Sequence, residues 1–141
     1  MASVKCSSGH QDKMKTGMLV FLGIEENDGR DDIEWLSGKI CRLRIFDDKD
    51  GIMNLGVTEV GGDIMIISQF TLHASTRKGN RPSYIRAALP VISEPVYEAF
   101  LEQLEKDSGT KIKRGVFGDE MEVQLVNDGP VTILIDTKNK E

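Results

Sequence analysis

The strongest constraint on the fold is a pair of short apolar runs, at residues 18–24 and 64–67, each followed by polar or turn-forming residues. Runs of this length are typical of buried strands and fall far below the ~20 residues of a membrane-spanning helix. At 141 residues and 39% hydrophobic content, the chain suffices for one domain with its own core. The sequence predicts a single globular domain over residues 1–141, with no membrane span.

Two stretches have the apolar spacing of amphipathic helices. The first is predicted over residues 31–45, with apolar side chains three or four positions apart at Ile33, Leu36, Ile40 and Leu43. The second is predicted to begin at Ser93-Glu-Pro95, with the proline tolerated in the first turn, and to end at Ser108-Gly109. Both stretches are therefore predicted to be helices with one apolar face.

The remaining regular segments have the composition of strands. They lie at residues 18–24, 57–60, 63–72, 111–116, 120–126 and 131–136. These strands come in blocks and do not alternate strictly with helices, which favours an α+β fold with antiparallel sheets. The polar tail at residues 138–141 is predicted to be a frayed end.

The net charge of −5, from 18 basic and 23 acidic residues, argues against a surface that binds nucleic acid everywhere. Residues 64–93 nevertheless contain no Asp or Glu, although average composition predicts about five (30 × 23/141). The same window contains four basic residues, Arg77, Lys78, Arg81 and Arg86. Two interpretations stay open: a surface that binds phosphate groups, or an ordinary basic loop beside a buried strand.

The segment Ser68-Gln-Phe-Thr-Leu72 places polar side chains at the end of an apolar strand, directly before the basic window's cations. In a strand, Gln69, Thr71 and His73 would share one face. Thr71 and His73 could suggest a nucleophile and its base, but their spacing along a strand and the lack of a third group disfavour this. A polar strand face toward solvent is the alternative.

The segment Asn127-Asp-Gly-Pro-Val-Thr132 is predicted to form a turn between two strands. Pro130 is unusual there, because it has no N–H to donate to a sheet ladder.

The chain begins without the apolar core of a secretory signal, so a cytoplasmic location is predicted. Cys6 and Cys41 are expected to be free thiols. Together with His10 and His73 they lack the paired spacing of zinc ligands, and neither a metal nor another cofactor is predicted.

Taken together, the segments Ser68-Gln-Phe-Thr-Leu72, Thr76-Arg-Lys-Gly-Asn-Arg-Pro-Ser83 and Asn127-Asp-Gly-Pro-Val-Thr132 resemble those of the D-aminoacyl-tRNA deacylases, the D-tyrosyl-tRNA deacylase family. The resemblance extends from about residue 2 to residue 136. It implies an enzyme that hydrolyses the ester of D-aminoacyl-tRNA, and of mischarged glycyl-tRNA. It also implies a homodimer of α+β subunits with two helices.

The resemblance implies roles for individual residues. Ser68, Gln69, Phe70 and Thr71 are expected to line the pocket for the aminoacyl-adenosine end. A cis Gly129-Pro130 element is expected to enter the pocket of the partner subunit, where it rejects L-amino acids. The cations Arg77, Lys78, Arg81 and Arg86 are expected to contact tRNA.

No Ser/His/Asp or Cys/His set is evident, so catalysis is expected to use backbone N–H groups near Phe70 and Thr71, with Thr71 in a positioning or secondary catalytic role. The family implies assistance from the ribose 2′-OH.

Members of the family usually begin with a further apolar strand that contains an arginine, whereas this sequence begins at Met1-Ala-Ser-Val4, so an open sheet edge is expected. Two alternatives remain: a non-catalytic RNA-binding module, and an esterase with Thr71 as nucleophile.

Overall fold

The computed structural model describes residues 1–141, and its central element is a six-residue strand that is buried on both faces. In chain order the elements are β1 (Ala2–Cys6), β2 (Gln11–Met14), β3 (Gly17–Leu22), α1 (Arg30–Arg42), β4 (Phe46–Asp47), β5 (Met53–Leu55), β6 (Asp63–Ser68), a 3-10 turn (Phe70–His73), α2 (Pro90–Ser108), β7 (Lys113–Arg114) and β8 (Met121–Leu125). The predicted α+β fold with two helices is confirmed.

The strands form three sheets. Two of them, in the orders β2-β1-β8 and β4-β5, are antiparallel, although the sequence predicts no strand at β1, β2, β4 or β5. The sheet β3-β6-β7 is parallel, which corrects the prediction of antiparallel sheets for the strands at residues 18–24, 63–72 and 111–116. Its chain connections each pass through a helix, α1 or α2, and a helical crossover is the usual way to return a strand in the same direction.

Strand β6 separates two hydrophobic cores, because its side chains alternate between opposite faces of the sheet. Ile64 and Ile66 belong to a core shared with both helices. Met65 and Ile67 belong to a second core, which β1 and β2 complete from the other side. All four side chains are at most 1% exposed. The molecule is therefore layered as helices, parallel sheet and antiparallel sheet.

Helix α2 is fastened to β6 by a polar contact inside the first core. Tyr97 is 1% exposed, and its hydroxyl donates a hydrogen bond of 3.2 Å to the carbonyl oxygen of Ile66. Burial raises the pKa of Tyr97 to about 12, so the phenol stays neutral and remains a donor. This bond sets the position of α2 along the axis of β6.

Helix α2 begins at Pro90, three residues before the predicted start at Ser93. Proline at the first helical position has its φ angle already set and loses no intrahelical bond there. Pro95 consequently lies inside the helix and not in its first turn. The predicted end is correct, because Gly109 caps the helix with a left-handed φ of 71°.

Four predicted strands differ from the structure. Of residues 111–116, only Lys113–Arg114 form a strand. Residues 57–60 form a turn, in which the Gly62 N–H donates to the Val57 carbonyl at 2.9 Å. The predicted strand over 63–72 ends at Ser68 and gives way to the 3-10 turn. Residues 131–136 join no sheet, and β8 is an edge strand paired only with β1.

The tail is anchored, contrary to the prediction of a frayed end. The Lys138 ammonium lies 2.8 Å from Asp32 and 3.5 Å from Asp28, at the start of α1. Burial favours the protonated form of Asp32, but hydrogen bonds that include the one from Lys138 lower its pKa to about 2. The Lys140 ammonium also lies 4.7 Å from the centre of the Trp35 ring.

Neither helix is long and apolar enough to cross a membrane. Cys6 and Cys41 are both free thiols, the first buried and the second half-buried. No group of three or more His, Cys, Asp or Glu side chains is placed to hold a metal ion.

Val57 offers a test of the first core, since it is fully buried although it lies in a turn. We expect Val57→Ala to lower the free energy of unfolding by about 2 kcal/mol, because the lost methyl groups leave a cavity. Val91→Ala is the matched control at a side chain that is 77% exposed, and should change stability by less than about 0.5 kcal/mol. Urea denaturation measures both, and equal effects would contradict the assignment of Val57 to the core.

Candidate active site

The end of β6 delivers the predicted site residues into a tight turn. Ser68 is the last residue of the strand and pairs with Leu22 of β3. The next N–H group, of Gln69, donates to the Leu22 carbonyl at 2.8 Å. Residues 69–73, called the motif turn from here on, then leave the sheet as a 3-10 helix capped by Gln69. Ser68, Gln69, Phe70 and Thr71 are thereby placed together at the end of β6.

A strand would have placed Thr71 and His73 on the same face, but residues 70–73 form a 3-10 helix. In the turn, the Gln69 side-chain amide donates a short hydrogen bond to the Thr71 hydroxyl oxygen. His73 makes no hydrogen bond to Thr71 and instead approaches Glu25. The structure therefore does not bring Thr71 and His73 together as a nucleophile and its base.

Two backbone N–H groups of the motif turn have no acceptor within the protein. The first residues of a 3-10 helix have no intrahelical partner for their N–H groups. The Leu72 N–H donates to the Gln69 carbonyl at 3.2 Å, but neither Phe70 nor Thr71 donates to any turn or loop carbonyl. Phe70 is exposed and Thr71 is half-buried, so the turn that carries these two donors lies at the protein surface.

Aromatic and apolar groups adjoin the turn. The rings of Phe70 and Tyr84 meet edge to face, with centroids 5.0 Å apart. Tyr84 also lines a cavity of about 340 Å³ together with Ile85, Leu89 and other apolar residues. A larger cavity of about 570 Å³ has a polar lining at the start of α1 and contains none of the predicted site residues.

The basic segment after the turn forms a closed loop. Ser75 and Ser83 exchange two backbone hydrogen bonds of 2.8 and 2.9 Å, which bring the ends of residues 76–82 together. Arg77, Lys78 and Arg81 lie in this loop, are exposed, and form no ion pair. Their charges are therefore free for an external anion.

Arg86 differs from the other three cations because it already has a partner. Its guanidinium donates to Glu25 at 2.8 Å, and the same carboxylate oxygen lies 3.1 Å from Nδ1 of His73. A Cβ added at Gly23 would lie 2.9 Å from His73 Nε2. No local pattern singles out Glu25 or Gly23, because their partners are distant in the chain and become neighbours only in the fold.

The segment of residues 127–132 is an exposed loop closed by one side chain. The Asn127 amide donates to the Thr132 hydroxyl at 2.9 Å, and its oxygen accepts from the Val131 N–H at 3.2 Å. The Gly129-Pro130 peptide bond is cis, and Gly129 has a left-handed φ of 122°. No hydrogen bond or ion pair joins this loop to the motif turn.

Known proteins share the sequence of this chain, including the segments described above. The model of the family D-Tyr-tRNA(Tyr) deacylase matches residues 1–136. The D-aminoacyl-tRNA deacylase of Bacteroides thetaiotaomicron is 57% identical over 140 residues, which cover 99% of this chain and 93% of the relative. The D-aminoacyl-tRNA deacylase of Flavobacterium psychrophilum is 54% identical over the same coverage.

Two solved structures are similar in fold. One, of a c-Myc DNA Unwinding Element Binding Protein, has a TM-score of 0.86 at 38% identity, with 96% of this chain and 92% of that chain covered. A probable eukaryotic D-amino acid tRNA deacylase has a TM-score of 0.76 at 14% identity, with 92% and 90% covered, and is similar in fold alone.

These likenesses define the class of protein as a hydrolase of the aminoacyl-tRNA ester bond. The chain belongs to the D-Tyr-tRNA(Tyr) deacylase family. The resemblance recognised in the sequence is thereby confirmed.

Gly23 provides a test of how the motif turn packs on β3. We expect Gly23→Ala to lower the free energy of unfolding by about 1–3 kcal/mol, because the new methyl group would overlap His73 and lie 3.2 Å from Leu72 Cβ. Gly29→Ala is the matched control, since nothing lies within 4 Å of its added Cβ. Thermal unfolding compares the two variants, and equal midpoints would contradict the close packing of His73 on Gly23.

Proposed function

We propose that this protein hydrolyses D-aminoacyl-tRNA and glycyl-tRNA at the motif turn, and that it rejects L-aminoacyl-tRNA through the Gly129-Pro130 loop of a partner subunit. The products are free tRNA and a D-amino acid or glycine. The reaction would act as chiral proofreading in the cytoplasm. The family assignment supports the reaction class, and the geometry of the turn and the loop supports the mechanism.

The observation that carries the mechanism is the pair of unpartnered N–H groups of Phe70 and Thr71. Water attack on the ester carbonyl places negative charge on its oxygen. Fixed donors aimed at that oxygen stabilise the transition state, and removal of one such donor typically costs about 10²–10³ in rate. Two adjacent donors on a surface turn are suited to this role.

The ester itself needs little further activation. The ribose 2′-OH lies next to the scissile ester in the substrate and can assist the attacking water, as the family implies. Thr71 would then position the substrate or the water, since its hydroxyl oxygen already accepts a hydrogen bond from Gln69. Ser68 and Gln69 would line the same pocket, with the exposed ring of Phe70 available for stacking against the terminal adenine.

The stereochemical filter would be a backbone wall and not a side-chain contact. An L side chain can be rejected by a steric clash, which discriminates better than added attraction for the D form. Gly129 and Pro130 are exposed, and Gly129 has no side chain to keep its backbone away from a substrate. Glycine has no side chain to clash with such a wall, so glycyl-tRNA should pass it.

The filter requires a second copy of the chain. No hydrogen bond or ion pair links the Gly129-Pro130 loop to the motif turn of its own subunit. In a homodimer each loop would instead enter the pocket of the partner. Size-exclusion chromatography with light scattering tests this assembly directly.

The tRNA would be held by the exposed cations Arg77, Lys78 and Arg81, and by Arg86 in addition to its contact with Glu25. Phosphate contacts give affinity without sequence specificity, and a few of them are enough for an enzyme that meets one end of the tRNA.

Incubation with D-tyrosyl-tRNA, L-tyrosyl-tRNA and glycyl-tRNA tests the proposal. Selective release of D-tyrosine and glycine is expected. Binding of all three without turnover would indicate the RNA-binding module, and hydrolysis of simple esters without chiral preference would indicate the esterase.

Thr71→Ala separates main-chain catalysis from a threonine nucleophile. We expect kcat on D-tyrosyl-tRNA to fall by less than about tenfold, because the N–H donors remain in place. Thr58→Ala, at an exposed threonine outside the site, controls for the substitution itself. Complete loss of hydrolysis by a folded Thr71→Ala variant would revive the nucleophile mechanism.

Gly129→Ala tests the filter. A Cβ at this position would lie 2.8 Å from Val131 Cγ2 and would force an alanine to a φ of 122°, so the loop must shift. We expect the ratio of D- to L-tyrosyl-tRNA hydrolysis to fall by about tenfold or more, with tRNA affinity nearly unchanged. Gly51→Ala, at a left-handed glycine with an open Cβ position in the β4-β5 turn, is the control. Unchanged selectivity in Gly129→Ala would count against the filter.

A further inference from the structure

Glu25 links two parts of the candidate active site that are distant in the sequence. Its Oε1 atom accepts a hydrogen bond of 2.8 Å from Arg86 and lies 3.1 Å from Nδ1 of His73. His73 is the last residue of the motif turn's helix, and Arg86 is the last cation of the acid-free window. A single carboxylate oxygen therefore contacts both.

The contact between His73 and Glu25 is the one polar side-chain contact between the motif turn and the rest of the molecule, beside the ring contact of Phe70 with Tyr84. The side-chain hydrogen bond of the turn, from Gln69 to Thr71, stays within it. The backbone bond from Gln69 to Leu22 holds only the start of the turn. The N–H groups of Phe70 and Thr71 lie between these two fixed ends.

The imidazole of His73 is held in place by packing on one side and by Glu25 on the other. Its Nε2 atom is buried, has no hydrogen-bond partner, and lies against the backbone of Gly23. Its Nδ1 atom lies 3.1 Å from Oε1 of Glu25, which is the only polar side-chain atom from another residue in contact with the ring. The contact with Glu25 is therefore the polar interaction that holds the ring in place, since Nε2 has no partner.

Hydrogen bonds hold the main chain of Glu25 in place. Its N–H donates to an Asp28 carboxylate oxygen at 2.8 Å, and its main chain forms an antiparallel bridge with Ala87. The neighbouring Ala88 N–H donates to the Ile24 carbonyl at 2.9 Å. The residue after Arg86 is thus attached to the same short stretch of chain that carries the carboxylate.

We propose that Glu25 is a positioning residue for deacylation, which fixes the orientation of the Phe70 and Thr71 N–H groups through His73 and separately holds Arg86 in place for contact with tRNA. The proposal rests on the function proposed above. Its consequence is a division of roles around one carboxylate. Loss of the His73 contact misdirects the oxyanion donors and lowers kcat, whereas loss of Arg86 weakens substrate binding and raises KM.

Steady-state kinetics on D-tyrosyl-tRNA with variants of the full chain test this division. We expect Glu25→Ala and His73→Ala each to lower kcat by about tenfold, and the double variant to lose no more than either single variant. Glu25→Gln should restore kcat to within about threefold of wild type, because its amide oxygen can occupy the position of Oε1 beside Nδ1 of His73. Arg86→Ala should raise KM by about threefold with kcat nearly unchanged.

Glu34→Ala is the matched control, since it removes a carboxylate from an exposed ion pair with Arg30 outside the site. If Glu25→Ala folds too poorly to assay, His73→Ala and Glu25→Gln decide the matter by themselves. A kcat for Glu25→Ala and His73→Ala equal to that of Glu34→Ala would overturn the positioning role and leave the proposed function standing. A wild-type chain without deacylase activity would overturn the proposed function itself.

Discussion

The whole architecture depends on the burial of β6 between two cores. Its four central side chains alternate between the core beneath the helices and the core beneath the antiparallel sheet. Because both faces are apolar, the strand can neither shift by one residue nor move to an edge without exposing part of a core. The end of β6 at Ser68 is therefore a fixed point, and the motif turn begins one residue later. The position of the candidate active site is therefore set by β6, the most buried strand of the protein.

The chemistry that we propose follows from the way in which the chain leaves that strand. A strand continued through Phe70 and Thr71 would point their N–H groups to opposite sides of the strand, in the plane of the sheet, and use them in ladders with neighbouring strands. The 3-10 turn leaves both without an acceptor in the protein. Unsatisfied donors at a rigid site stabilise developing charge without reorganisation at the moment of reaction. Glu25 and His73 then supply what a short turn lacks, a second attachment to the fold.

Much of this could be predicted from the sequence because it rests on local signals. The apolar runs of β3 and β6, the stripes of both helices and the stop at Gly109 are local patterns, and the structure has them. The three characteristic segments were also enough to identify the family. The errors arose where local propensity was ambiguous. Residues 69–72 continue an apolar run that suits a strand, yet the ladder with β3 ends at the pair of Leu22 and Ser68.

Contacts between distant segments were beyond sequence reasoning. The contact of Glu25 with His73 and Arg86 depends on how the end of β3 meets the motif turn and the segment before α2. The parallel pairing of β3 with β6 likewise depends on the path of α1, and the anchored tail depends on two acids at the start of that helix. No pattern of consecutive residues predicts these contacts, because each joins segments that are distant in the sequence and meet only in the folded chain.

A crystal structure of the protein with a D-aminoacyl-adenosine analogue, which has an amide in place of the 3′ ester, tests main-chain catalysis and the backbone filter most directly. We expect the amide carbonyl oxygen to lie about 2.7–3.1 Å from the N–H groups of Phe70 and Thr71. We also expect Gly129 and Pro130 of the partner subunit to lie against the Cα atom of the amino acid. An analogue bound away from the motif turn would contradict main-chain catalysis there, and one bound at the turn without a second subunit at its Cα would contradict the filter.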